Sequence, residues 1–60
     1  MNLKQLYDKV PTNKHLNIRK VGKQVLYDDG TKIYSAVIGE DGELVPMNIE
    51  TRNALKALSS

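Results

Sequence analysis

The chain contains no cysteine, no tryptophan and no phenylalanine, and one histidine, His15, among its 60 residues. The missing cysteines exclude disulfides and thiolate-bound zinc, and a single imidazole leaves too few ligands for another kind of zinc site. A cysteine-free composition also fits a reducing compartment. Proline is confined to Pro11 and Pro46, and glycine to Gly22, Gly30, Gly39 and Gly42, so each of these positions is read as a boundary or a turn. No apolar run approaches the length of a membrane span. Residues 1–10 carry Lys4, Asp8 and Lys9 where a signal peptide is continuously apolar. The expectation is a soluble, cytoplasmic protein with no metal and no cofactor.

Catalytic chemistry is equally sparse. A general base needs a partner and a pocket, and His15 falls in a polar connector, where it is expected to be solvated or to touch a phosphate. There is no glycine-rich phosphate loop, nucleophile elbow or metal-ligand spacing. The acidic pairs Asp28-Asp29 and Glu40-Asp41 lack the spacing of a calcium loop, and turn chemistry accounts for the aspartates. The expected protein is therefore not an enzyme and has no small-molecule substrate.

What the chain does have is turn chemistry between β-branched runs. Asp29-Gly30 and Asp41-Gly42 each separate apolar segments, and Asp-Gly is a preferred two-residue hairpin loop. Two-residue loops at both sites predict a three-stranded antiparallel meander in which Asp28 pairs with Thr31, Val25 with Tyr34, Ala36 with Met47 and Ile38 with Val45. One face then collects Val21, Val25, Tyr27, Tyr34, Ala36, Ile38, Val45, Met47 and Ile49; the other collects Gln24, Leu26, Ile33, Ser35, Val37 and Leu44. Before the meander, Leu16 to Val21 reads as the start of a strand. Gly22 then marks either a bulge, with the strand resuming through Lys23 to Tyr27, or a true turn. Pro46 cannot donate to a ladder, so the last strand is an edge or ends there.

Helices flank the meander. Leu3, Leu6, Tyr7 and Val10 recur at helical spacing, which predicts an N-terminal helix over Asn2 to Val10, capped by Asn2 and stopped before Pro11. Asn48 or Thr51 is expected to cap a C-terminal helix running to about Leu58, with Glu50 and Lys56 placed to suit its dipole. The fold class is α+β in the order α-β-β-β-α, one small domain over residues 1–60.

Two functional expectations follow. Domains this small usually need a staple, and without disulfide or metal the remaining staple is another protein or a second copy. Leu26, Ile33, Val37 and Leu44, on the less apolar face, are the candidate self-association residues, most simply in a homodimer. The alternative is nucleic-acid or anion binding. Residues 1–24 sum to +5 and residues 25–60 to −3, within a net charge of +2. That asymmetry singles out Lys14, His15, Asn17, Arg19, Lys20 and Lys23 as phosphate or base contacts. With three tyrosines and no other aromatic residue, the stacking platform usual in single-strand binders is thin. The balance favours a small non-enzymatic binding or regulatory protein, of the accessory type that compact phage and mobile-element genomes encode, acting through protein contacts.

The run Lys20-Val21-Gly22-Lys23, with Tyr27-Asp28-Asp29-Gly30, Ala36-Val37 and a final helix, resembles small crenarchaeal chromatin proteins. Its β-β-β-α order is similar to that of phage-integrase arm-site domains, and the full α-β-β-β-α order to that of double-stranded-RNA-binding domains. The aromatic residue that the chromatin family inserts into DNA has no counterpart here. The N-terminal helix is foreign to the first two families, and the last helix begins Asn48-Ile49-Glu50 where an RNA-binding domain is basic. None of these likenesses assigns a family.

Overall fold

Asn2 opens the first helix by a reciprocal cap. Its side chain accepts from the Gln5 amide at 2.8 Å, and the Gln5 side chain accepts from the Asn2 amide at 2.9 Å, which satisfies two backbone donors that a helix start leaves free. In the computed structural model, which describes residues 1–60, this helix is α1, Leu3–Lys9. Val10 is extended (ψ 135°), as the ring of Pro11 requires of its predecessor. A 3-10 turn, Thr12–Asn17, leads into the sheet.

The sheet has four strands: β1 (Ile18–Val21), β2 (Gln24–Asp28), β3 (Ile33–Ile38) and β4 (Leu44–Pro46), all antiparallel, in the order β1-β2-β3-β4. The architecture is α+β as expected, with one strand more than the three of the predicted meander. The extra hairpin comes from Gly22, which is a true turn. Val21 pairs with Gln24 across the two-residue loop Gly22-Lys23. Gly22 has φ of +61° while Lys23 does not take a positive φ, the pattern of a type II′ hairpin with glycine first. Val21 therefore lies opposite Gln24 and turns away from the core face on which it was expected.

The other two connections are longer than two residues, and the difference moves side chains. Neither Asp29 nor Asp41 has a positive φ, so neither turn is type I′. Between β2 and β3 the loop is Asp29–Lys32, and the register becomes Asp28↔Ile33, Tyr27↔Tyr34 and Val25↔Ala36. This is a slip of two from the predicted pairing. Side chains alternate with period two, so every residue of β2 and β3 keeps its predicted face.

Between β3 and β4 the slip is one. The Gly42 amide donates to the Gly39 carbonyl at 3.0 Å, Gly42 has φ of +83°, and the Gly39 amide donates to the Glu43 carbonyl at 2.8 Å. This is a turn followed by a left-handed glycine, the arrangement that inserts one bulge residue. The observed pairs are Ile38↔Leu44, Val37↔Val45 and Ala36↔Pro46. A one-residue slip exchanges the faces of the whole strand. Leu44, expected on the outer face, is in the core at 7% exposure, whereas Val45 and Met47, expected in the core, are each 54% exposed. Ile49 is also exposed, because it starts the final helix rather than extending β4.

Ser35 directs its backbone polar groups toward β4, since its carbonyl accepts from the Met47 amide at 3.0 Å. Ala36, the next residue, directs its own the other way. Pro46, opposite Ala36, thus sits where β3 asks for no donor, on the sheet edge where proline is tolerated. That edge is covered: the Leu44 amide donates to the Met1 carbonyl at 2.8 Å, and the Met1 amine pairs with Glu43 at 2.9 Å.

The second helix, α2, is Ile49–Ser59. Asn48 is its cap, accepting from the Thr51 amide at 2.8 Å. Thr51 has a different task. It is 1% exposed, and its hydroxyl oxygen accepts from the Ser35 amide at 3.0 Å, taking the place of a ladder partner beyond Pro46. Both helices pack on one side of the sheet. Leu6 and Val10 from the α1 end, with Leu55 and Leu58 of α2, gather around Ile18, Val25, Ala36 and Leu44. The interior holds a void of about 20 Å³ lined mainly by apolar side chains, room for at most a single water on the scale of ~10–15 Å³ each. No helix is long and apolar enough to cross a membrane.

Candidate functional site

With both helices on one face, the other face of the sheet has no cover, and its residues form ranks across the strands. One rank is Val21, Gln24, Val37 and Val45, each hydrogen-bonded neighbour in register with the next. The next rank is Arg19, Leu26 and Ser35, continued by Met47, whose amide donates a hydrogen bond to the Ser35 carbonyl. Above it lie Asp28 and Ile33. Ile33 is 64% exposed and Leu16, on the 3-10 turn at the rim, is 92% exposed. The Gln24 side-chain amide reaches Met47 Sδ at 3.8 Å. One corner is hollowed into a shallow depression of about 340 Å³ lined by Leu16, Asn17, Arg19, Leu26, Asp28 and Ile33.

Three of the four residues expected to mediate self-association, Leu26, Ile33 and Val37, are on this open face; Leu44 is in the core instead. Sequence reasoning missed Val21, Val45 and Met47, which join them. The signals were present in Val21-Gly22-Lys23-Gln24, a two-residue hairpin with glycine first, and in the paired glycines of Gly39-Glu40-Asp41-Gly42.

The six residues expected to contact nucleic acid do not share a face. Arg19 pairs with Leu26 on the open side; Lys20 pairs with Val25 on the helix side, since neighbours on a strand point oppositely. Lys23 is in the β1–β2 turn, where its carbonyl accepts from the Ile38 amide. Asn17 lines the corner depression. Lys14 lies near the β2–β3 loop, where its charge adds to the forces on Asp29.

His15 is half-buried and tied to the end of the first helix through Nε2. Its Nε2 lies 2.7 Å from the Tyr7 carbonyl and 2.9 Å from the Val10 carbonyl. Both partners are acceptors, so Nε2 carries the hydrogen. Pro11 has no amide hydrogen to return to Tyr7 one turn back, and the imidazole supplies the missing donor. The ring also meets Tyr7 edge-on, with centroids 5.1 Å apart at 83°. Local sequence around Pro11 thus makes His15 a helix stop.

The acidic loop between β2 and β3 is likewise internally satisfied. Asp29 Oδ1 accepts from the Thr31 amide at 2.8 Å and the Lys32 amide at 2.7 Å, and Oδ2 accepts from the Tyr34 hydroxyl at 3.0 Å. The two backbone donors, Lys32 first, hold the Asp29 carboxyl below its ordinary pKa, with Tyr34 assisting. The same bond to Asp29 pushes the Tyr34 hydroxyl up. Asp28 accepts from the Gly30 amide at 2.8 Å. No group of three or more histidine, aspartate or glutamate side chains converges on a point where a metal ion could sit. No protein-family model matches the chain, and neither a curated protein nor a solved structure matches it.

Proposed function

We propose that this is a non-enzymatic protein-binding module of regulatory or accessory type whose docking surface is the open sheet face. The observation that carries this reading is the placement of both helices on one side of the sheet, which leaves Val21, Leu26, Ile33, Val37, Val45 and Met47 together without cover. Contiguous apolar patches of this kind mark interaction surfaces. Arg19 and Asp28 beside the patch give it a polar rim, the usual anatomy of a protein interface.

The energetics suit a reversible contact. Five of these side chains, roughly half exposed, contribute on the order of 4–7 kcal/mol when buried, taking ~1.5–3 kcal/mol for each full burial. A partner surface of similar character adds about as much, against association costs of ~4–15 kcal/mol. The nucleic-acid reading draws less support, because Arg19 and Lys20 leave the sheet in opposite directions and His15 is occupied by backbone carbonyls.

Site-specific photo-cross-linking in the source cell tests the proposal. A photoreactive residue at Ile33 or Val37 is expected to give a discrete adduct with an identifiable protein. The same residue at Asn53, exposed on α2, is expected to give none. Equal labelling from Asn53, or no adduct from the sheet face, overturns it.

A further inference from the structure

Two of the three ranks of the open face are complementary to themselves; the third sets exposed Asp28 against Ile33 at the end of the strands. We propose, resting on the protein-binding reading above, that the occupant of this face is a second copy of the chain, packed sheet against sheet about a two-fold axis parallel to the strands. That axis passes between β2 and β3 and exchanges β1 with β4 and β2 with β3. In the rank Arg19, Leu26, Ser35, Met47, each Leu26 then lands on the partner's Ser35. The bulkiest side chain at the centre of one sheet fills the smallest position of the other, twice by symmetry. In the rank Val21, Gln24, Val37, Val45, the outer valines meet and Gln24 lies over Val37. Arg19 lies over Met47, so its aliphatic stem is covered while its guanidinium stays at the rim.

Charge and shape favour this axis over a two-fold perpendicular to the strands through the same rank. A two-fold perpendicular to the strands sets each strand against itself. With the axis on the rank of Leu26 it stacks Arg19 on Arg19 and Leu26 on Leu26, placing like charges and like bulk together, which disfavours that docking. Both arrangements keep the strands nearly aligned, as stacked sheets do. Area favours a whole second sheet over a single bound peptide. A standard interface takes about 800 Å² from each partner, close to a fifth of this chain's 4284 Å². One full side of the molecule must be engaged, and an extended peptide covering a strand or two leaves most of the face wet. An isologous contact lets one gene product provide both surfaces.

The chain has no native cysteine, so single-cysteine variants report the geometry directly. R19C and M47C are prepared separately, and each alone and the two mixed are treated with a short bismaleimide. Only the mixture is expected to give a covalent dimer. In the proposed pairing, Arg19 faces Met47, while each residue lies three strand spacings, about 14 Å, sideways from its own copy. Cross-linking of R19C to itself, or none in any sample, overturns the axis. Light scattering of the native chain at high micromolar concentration is expected to give twice 6.7 kDa, and Ser35→Leu, which fills the hollow on an outward face, to return the mass to 6.7 kDa with an unchanged circular dichroism spectrum. A native mass of 6.7 kDa throughout rejects the second copy. If Ile33 then photo-cross-links to a different, identified protein, the protein-binding reading stands without the dimer; if it cross-links to nothing, both fall.

Discussion

Replacing Thr51 by valine probes the joint between α2 and the sheet with almost no change of shape. Thr51 is 1% exposed, and its hydroxyl oxygen is the acceptor 3.0 Å from the Ser35 amide. Valine keeps the branched outline but offers that amide nothing, and β4 ends at Pro46, short of a carbonyl that would otherwise serve. An unpaired backbone donor that is shielded from water costs about 1–3 kcal/mol; Ser35 is half-buried, which places the loss at about 1–2 kcal/mol. A chain of 60 residues is stabilised by about 3–9 kcal/mol in all, so the change removes a sizeable part. At ~4–8 °C for each kcal/mol in a domain this small, the melting midpoint should fall by about 4–16 °C. The measurement is thermal and urea unfolding at one fixed protein concentration, because association would make the midpoint concentration-dependent. Amide exchange at Ser35 is followed alongside. Thr51→Ser is the control: it keeps the oxygen and deletes one buried methyl, about 0.8 kcal/mol. Ser35 should exchange faster in the valine variant and stay protected in the serine variant. A valine variant with native protection at Ser35 and a native midpoint would refute the reasoning, since the hydroxyl would then carry no part of the joint.

Gly42→Val should destabilise by about 1–2 kcal/mol in urea titration and Gly42→Asn by clearly less, because φ there is +83° with open space around the position and asparagine tolerates the left-handed region far better than a β-branched residue; equal losses would show that the turn, not its handedness, is at fault. Asp29→Asn should flatten the acid limb of the stability profile. The Asp29 pKa is lowered in the fold by the Lys32 and Thr31 amides, so its contribution is present above the ordinary carboxylate value of about 3.8 and disappears as pH falls through the lower folded value. Stability measured from pH 6 down to about pH 2 would contradict this if variant and native profiles ran parallel.

Much of the fold was legible because it is written in local chemistry. Asn2 marks a helix cap, Val10-Pro11 a helix stop, and Asn48 or Thr51 the start of a second helix. What local chemistry did not convey was partnership over longer range. His15 reads as a solvated connector until the orphaned Tyr7 carbonyl is seen beside it, and that carbonyl is orphaned by Pro11. Thr51 reads as a rival cap until the end of β4 leaves the Ser35 amide in need of an acceptor.

Register was the harder matter, and its failure is informative. Loop length decides register, and Asp-Gly fits a two-residue loop as readily as the longer turns that occur here. Hydrophobic alternation did not arbitrate because the strands scarcely alternate. Leu44, Val45, Pro46 and Met47 are apolar at every position, and Ile33 to Ile38 is apolar on both sides apart from Ser35. A strand whose fringe is polar announces which face is wet; these do not. Such two-sided strands are characteristic of sheets covered on both faces, yet this chain has helices for only one. The ambiguity that displaced Leu44 into the core and Val45 and Met47 out of it therefore has the same physical origin as the proposed function. The chain supplies a cover for one face of the sheet, and on the proposed reading the side chains that blurred the register are those a partner would cover.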